Sequence, residues 1–302
     1  MKTYTIGIVG GGFVGSAYAR AFMDAGFHVE MHDVNEKYAD NFPQFSPLPP
    51  SISLEDLVLL SDMIFVCVPT PPIEYLDSNV CGGADALIVV DVICNISYNL
   101  PIDANYPVCI KSTLSPQATS NIGQLWSNLN LHFSPEFLTE ADPLGTLKNT
   151  NRNVVGCDGV HDGNIIYVLE SVCKNKNAQL VLCSTTEAEI IKLMSNSFLA
   201  MKVTFANWFY DVCGMSGANY DVVKLGVGLD KRIGSSHLQV PGPDGKRGYS
   251  GSCFPKDVGN IVSYCESNNL EADVMSVIQQ ANSEYRLDHD WVDNRYRNDD
   301  KR

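Results

Sequence analysis

Thr5-Ile6-Gly7-Ile8-Val9 runs straight into Gly10-Gly11-Gly12-Phe13-Val14-Gly15, and the reading of that junction decides the fold. Residues 4–9 are apolar and β-branched enough to read as a strand, and residues 14–25 follow as a helix candidate. Between them Gly10, Gly12 and Gly15 stand at GxGxxG spacing. The first glycine permits a tight turn, the second lets backbone approach a pyrophosphate, and the third lets helix and strand pack closely. The helix N-terminus then faces the phosphates. Asp33 closes the next strand-like run at the distance where an acid binds the adenosine ribose hydroxyls. A carboxylate there repels a 2′-phosphate, so the spacing favours NAD over NADP. Phe13 and Val14 fall inside the same turn and join the expected cofactor contacts.

Outward from this junction the pattern repeats. Strand-like runs occupy residues 28–32, 63–68, 108–111, 131–134, 153–156 and 179–182, with helical stretches such as 163–173 between them. Strand–helix alternation predicts an α/β fold, a doubly wound Rossmann-type parallel sheet with helices on both faces. Val68-Pro69-Thr70-Pro71 ends the third strand, where ligands of such sheets lie, so these four residues join the expected cofactor contacts. The proline-rich residues 43–50 read as a surface loop. From residue 186 the character changes. Residues 186–212 are apolar nearly all round and predict a long buried helix, inside the subunit or in a dimer interface. A glycine- and proline-rich stretch, 226–251, and two further helices, 258–267 and 274–286, complete a helical second domain. The expected division is 1–185 for the NAD-binding domain, 186–290 for the helical, dimerising domain with the cysteine loop, and 291–302 for a charged tail.

The bulk numbers narrow the function. The net charge of −14 over 302 residues disfavours nucleic acid as a partner. No apolar run approaches the roughly 20 residues of a membrane span, and the N-terminus has no secretory leader pattern, so a cytoplasmic protein is expected. Ten cysteines are scattered without a CxxC pair, which argues against a zinc site and predicts no metal. Nine read as reduced, buried packing residues; the other is Cys253.

Four segments carry chemistry. Lys111-Ser112-Thr113 follows one strand, and Ser134-Pro135-Glu136-Phe137-Leu138-Thr139-Glu140 follows another. If the latter turns helical after Pro135, Glu136 and Glu140 share a face. Lys192 and Asn196 share a face of the long helix in the same way. Gly248-Tyr249-Ser250-Gly251-Ser252-Cys253-Phe254-Pro255-Lys256-Asp257 sets a cysteine in a glycine loop beside a lysine and at a helix start, features that expose and acidify a thiol. Three of the segments have a second reading: a solvated glutamate face, a snorkelling Lys192, a packed Cys253.

Taken in order, the segments resemble the UDP-glucose/GDP-mannose dehydrogenase family. Its glycine fingerprint, VPTP strand end, KST segment, PEFLxE segment, ExxKxxxNxFLAxK helix and GxCFPKD loop appear at residues 10–15, 68–71, 111–113, 135–140, 189–202 and 251–257. The resemblance implies oxidation of a primary alcohol of a nucleotide sugar, UDP-glucose foremost, to the carboxylate. It implies two hydride transfers to NAD, with a cysteine thiohemiacetal between them and a thioester after the second, which water opens. GDP-mannose or an N-acetylhexosamine nucleotide as substrate, or a non-catalytic NAD-binding scaffold, are the alternatives.

By the same resemblance Cys253 is the nucleophile, Lys192 and Asn196 stabilise the oxyanion, Thr113 and Glu136 handle water and protons, and Asp257 is a further catalytic acid. Ser112, Thr113, Glu140 and Lys256 are implied cofactor contacts. Glu136, Phe137, Leu138, Lys192, Asn196, Gly248, Tyr249 and Gly251 are implied substrate contacts, and Arg232 is implied to reach the neighbouring subunit's substrate in a homodimer. The sequence departs from the family at Ala118 and Ser250, where glycines are usual. Residues 233–247 make a longer loop than is typical. The chain is read as lacking the family's C-terminal nucleotide-binding domain; in its place either the longer loop brings Lys246 and Arg247 to face the diphosphate, the favoured expectation, or a second protein supplies the clamp.

Overall fold

Alternating strands and helices from residue 5 onward build one sheet. The computed structural model describes residues 3–73, 82–139 and 141–288. In chain order the first part runs β1 (Thr5–Val9), α1 (Phe13–Asp24), β2 (His28–His32), α2 (Leu54–Leu60), β3 (Met63–Val66) and α3 (Leu87–Tyr98). It continues with β4 (Tyr106–Ile110), α4 (Ala118–Gly123), β5 (Leu129–Phe133), α5 (Pro143–Lys148), β6 (Arg152–Cys157), α6 (Gly163–Val172), β7 (Gln179–Cys183) and α7 (Thr185–Ser216). The strands form a seven-stranded sheet in the order β2-β1-β3-β4-β5-β6-β7. Every neighbouring pair is parallel except β5–β6, which runs antiparallel.

Both sheet faces are buried over the middle strands β1, β3, β4 and β5, as a parallel sheet requires, while the edge strand β7 leaves Leu180 and Leu182 exposed. Ile6 and Ile8 of β1 point with Phe22 and Phe65 into one core cluster, while Val9 packs with Ile64, Val66, Ile93 and Ile110 into the other. This is the period-two alternation of a strand covered by helices on both sides. The proline-rich residues 43–50 are not simply a surface loop. Pro43–Phe45 forms a 3₁₀ turn, Phe45 is fully buried, and its ring lies 5.8 Å from that of Phe13. One aromatic side chain in a proline-rich run is enough to anchor it against the core.

The chain order reverses at β1, whose two neighbours are β2 and β3. In sheets of this kind the crevice beyond the carboxyl ends of such strands is where ligands bind. The glycine loop after β1 and residues 67–70 after β3 therefore occupy the ligand-binding edge.

The chain divides into two compact units, Met1–Thr70 with Asp85–Lys192, and Pro71–Ala84 with Leu193–Arg302. The second contains most of α7, then α8 (Tyr220–Gly228), α9 (Phe254–Ser267) and α10 (Asp273–Tyr285). Residues 71–84 join it partly through Ala84, whose N–H donates to Asn260 Oδ1 at 3.4 Å. The start of α7 is fixed twice. Ser184 and Glu187 form a reciprocal capping box, and Asp158 accepts from the Thr185 N–H and hydroxyl at 2.9 and 2.7 Å. The helix then runs for 32 residues, longer than the stretch of 186–212 expected from its apolar run. Met194, Phe198, Phe205, Trp208, Val212 and Met215 remain exposed on it.

Candidate active site

Gly10 adopts φ +100°, and a Cβ built there would meet the Cys67 carbonyl oxygen at 2.7 Å. At Gly15 a Cβ would fall 1.8 Å from the Gly10 carbonyl oxygen. Both positions are thus closed to side chains, the first by conformation and the second by close packing. Gly12 is exposed at the N-cap of α1, so the first-turn amides face outward. The Asp33 carboxylate accepts the Gly11 N–H at 2.6 Å and the Asn35 N–H at 2.8 Å. It thereby ties the glycine turn to the end of β2. Phe13 packs against Phe42 and Phe45, and Val14 borders the same core. The strand end Val68-Pro69-Thr70 is fastened by Ser112, whose hydroxyl donates to the Val68 carbonyl at 2.7 Å. An approachable backbone turn, a helix N-terminus and an acid at the end of β2 are what a dinucleotide with a free 2′-hydroxyl needs, so the residues fit NAD.

The first unit also gathers a charged cluster past the ends of β4 and β5. The Lys192 ammonium, 4% exposed, donates to Glu136 Oε1 at 2.8 Å and to the Glu136 carbonyl oxygen at 2.7 Å. Burial alone would push the Glu136 carboxyl upward. The Lys192 charge and hydrogen bond, the Leu138 N–H at 2.7 Å and the Lys111 charge reverse that and hold it below the usual carboxylate range. Phe137 lies beside this pair, 5.6 Å from the Lys192 ammonium, with Arg152 over its ring at 4.1 Å. Thr113 is half-buried beyond β4.

This pairing corrects one expectation. Residues 134–139 are not helical, so Glu136 does not present a helix face. Its carboxylate turns back onto its own Leu138 N–H and across to Lys192. Such local and long-range bonds compete with helix formation. Glu140 lies outside the described residues.

In the second unit Cys253 is the exposed N-cap of α9, in a loop where Gly248 and Gly251 take positive φ. Four of the other described cysteines are buried and four half-buried, so Cys253 differs from all of them. Asp257, on the first turn of α9, is 1% exposed. It accepts from Asn196 Nδ2 at 2.6 Å, and Lys256 Nζ lies 3.4 Å from its other oxygen. Lys192 and Asn196 sit one turn apart on α7. Gly248 and Tyr249 are held by α10: Asn282 accepts the Tyr249 N–H at 2.7 Å and donates to the Tyr249 carbonyl at 3.0 Å. A Cβ at Gly248 would meet Asn282 Oδ1 at 2.7 Å.

Arg232 is exposed and chelates Asp230 within its own turn. The cations expected to face a diphosphate are engaged otherwise. Arg247 donates to Asp211 and to the Asn207 carbonyl, with its guanidinium 4.5 Å over the Tyr285 ring. Lys246 pairs with Asp288. Acids downstream and on α7, far off in sequence, neutralise both, so the loop is pinned to its own unit. No group of His, Cys, Asp and Glu able to hold a metal occurs among the described residues.

Lys111 and Glu189 lie in motifs marked in the sequence but are given no role there, and Asn282 is given none either. Glu189 is fully buried on α7 and accepts the Gln117 N–H, the Thr119 N–H and the Thr119 hydroxyl at 2.7–2.8 Å, tying the start of α4 to α7. Burial raises its carboxyl to about 7 against those hydrogen bonds. The signal available for Glu189 was its place one turn before Lys192.

A glycine-turned Rossmann sheet, followed by a helical unit with an exposed cysteine, defines an NAD-binding dehydrogenase. Residues 46–174 match the NAD binding domain of the UDP-glucose/GDP-mannose dehydrogenase family, and residues 186–284 match its central domain. The chain belongs to that family, and its cofactor is NAD. It is 32% identical over 228 residues to the UDP-glucose 6-dehydrogenase of Rickettsia bellii, a match covering 74% of this chain and 50% of that one. With the UDP-glucose 6-dehydrogenase of Rhizobium meliloti it shares 31% over 292 residues, 87% of this chain and 64% of the relative. The chain thus spans about half to two thirds of the length of these relatives. A UDP-glucose dehydrogenase structure from Pyrobaculum islandicum superposes with a TM-score of 0.77 at 27% identity, covering 94% of this chain and 68% of that one.

Proposed function

We propose that this chain carries the catalytic machinery of a UDP-glucose 6-dehydrogenase, oxidising the sugar's primary alcohol to a carboxylate through a thioester on Cys253. The observation that carries the reading is the buried Glu136–Lys192 ion pair in a family member whose exposed cysteine caps α9. NAD, when bound, accepts a hydride at each of the two oxidation stages. The Cys253 thiolate adds to the intermediate aldehyde as a thiohemiacetal, whose oxidation gives the thioester. A helix N-terminus favours the anionic sulfur.

Lys192 and the Asn196 amide donate to the oxygen that gains charge as the carbonyl carbon becomes tetrahedral. Asp257 holds the Asn196 amide in one orientation by accepting one of its two N–H groups. Glu136, kept ionised, accepts the proton of the water that releases the carboxylate, with Thr113 steering that water. Ser112, Thr113, Glu140 and Lys256 are proposed cofactor contacts. Phe137, Leu138, Gly248, Tyr249 and Gly251 are proposed substrate contacts. Purified protein is expected to reduce NAD with UDP-glucose at least about tenfold faster, in kcat/KM, than with GDP-mannose or an N-acetylhexosamine nucleotide. Equal rates, or none with any of the three, would reject UDP-glucose as substrate.

The working form is proposed to be a homodimer. Met194, Phe198, Phe205, Trp208, Val212 and Met215 recur at spacings of three, four and seven along α7, and all are exposed in the single chain. An apolar stripe of this length needs a partner surface. Arg232, exposed beyond α8, is proposed to reach the second subunit's substrate. Sedimentation equilibrium should give a dimer that Phe205→Asp with Trp208→Asp converts to monomer. A wild-type monomer with full activity at nanomolar concentration would contradict it.

A further inference from the structure

Lys111 follows β4 and is 2% exposed. Its ammonium donates to Ser134 Oγ at 3.1 Å and lies 4.2 Å over the Tyr18 ring of α1. Among the described residues no carboxylate oxygen lies within ion-pair distance of it. A hydroxyl and an aromatic face are weak compensation for taking an ammonium out of water. A residue that only filled space here would be better served by methionine or leucine.

The groups around it identify its use. Tyr18 faces it from α1, Cys67 from the end of β3, Cys109 from β4, Ser134 and Glu136 from beyond β5, and Lys192 from α7. Burial raises both thiols to about 12 and the Tyr18 phenol well above its ordinary value, so all three are neutral at working pH. The groups left to carry charge are the Lys111 and Lys192 amines and the Glu136 carboxyl. Burial lowers the proton affinity of Lys111 below that of a free lysine, and Glu136 works against that; the Lys111 charge in turn adds to Lys192 in lowering the proton affinity of Glu136.

We propose that Lys111 is a positioning residue for the Glu136–Lys192 pair, held by Ser134 and Tyr18 so that its charge bears on the carboxylate from the sheet side. The cluster then carries a net positive charge in a buried setting, where charges act strongly. An anionic oxygen arriving at Lys192 is attracted rather than repelled. Glu136 also stays anionic when Lys192 turns one of its hydrogens toward that oxygen, because the second ammonium remains. Lys111 acts through Glu136; it is not placed against the substrate. The catalytic consequence rests on the reading of Glu136 as the base.

The test is the titration of the Glu136 carboxylate, read by infrared difference against Glu136→Gln, in wild type and Lys111→Met. Glu136 is depressed by two cations, so it is ionised above its midpoint and its function is lost as pH falls through it. Removing one cation raises the midpoint. The carboxylate band and the acid limb of kcat/KM should both move upward by about one pH unit or more. Lys111→Arg should restore both toward wild type, and NAD affinity should be unchanged throughout. If Lys111→Met fails to bind NAD, Lys111→Gln is measured in its place. An unmoved carboxylate band in either variant, with NAD still bound, overturns the proposal. If the acid limb persists in Glu136→Gln, the base reading of Glu136 fails, while the band shift still decides what Lys111 does.

Discussion

Cys253→Ser is expected to bind NAD as wild type does and to lose steady turnover by about 10³-fold or more. The reason lies in what the sulfur does at two stages. A thiolate adds readily to the aldehyde, and the thioester formed after the second oxidation is an activated acyl group that water can open. A serine hydroxyl adds poorly without a base beside it. Any oxygen ester that does form hydrolyses more slowly. The position of Cys253 supports this use over packing: it is exposed, it caps the 14-residue α9, and flanking glycines at positive φ hold the loop open. Single-turnover mixing should still yield a first equivalent of NADH with the variant, because the first oxidation does not need the sulfur. Undiminished steady turnover in Cys253→Ser would remove the thioester from the mechanism.

Lys192→Met is expected to have the largest combined effect on stability and activity. The Lys192–Glu136 pair is nearly inaccessible, with side chains 4% and 10% exposed. Removing one partner of such a pair strands the other, at a typical cost of about 3–5 kcal/mol. The loss should fall toward the lower end, since Lys111 still bears on Glu136. Glu136 would respond by taking up a proton, so the penalty should shrink as pH falls. Turnover should drop by about 10³-fold, because the donor to the developing oxyanion is gone. The double variant Lys192→Met with Glu136→Gln should recover most of the stability and none of the activity. Urea unfolding together with turnover separates the two effects. A single variant as stable as wild type, or one that keeps more than a tenth of its rate, contradicts the roles given to this pair.

What could be read from the chain, and what could not, follows the range of the interactions involved. Strand–helix alternation and the glycine turn are local, so the sheet, its Asp33 end and α1 emerge within a residue or two of the structure. The cysteine loop is equally local, since a helix start and two glycines announce an exposed Cys253. The antiparallel run of β6 escapes such a reading because strand direction depends on the path between strands. The helix expected from Pro135 fails for a non-local reason, as Glu136 is claimed by a lysine 56 residues away. The same holds for Lys246 and Arg247, which local charge marked as phosphate ligands and which Asp288 and Asp211 neutralise. Lys111 sat in a recognised motif, yet nothing in its neighbours along the chain told that its ammonium is buried over Tyr18.

The central claim is that one sugar passes through two oxidations, the second of which leaves it as a thioester on Cys253. The most direct measurement is the count of NADH formed per UDP-glucose consumed by wild-type protein, run to completion with limiting sugar and excess NAD, with the product's mass determined. The account predicts two NADH for each sugar, a product heavier than the substrate by one oxygen less two hydrogens, and no aldehyde released along the way. One NADH per sugar with a free aldehyde as product would contradict it.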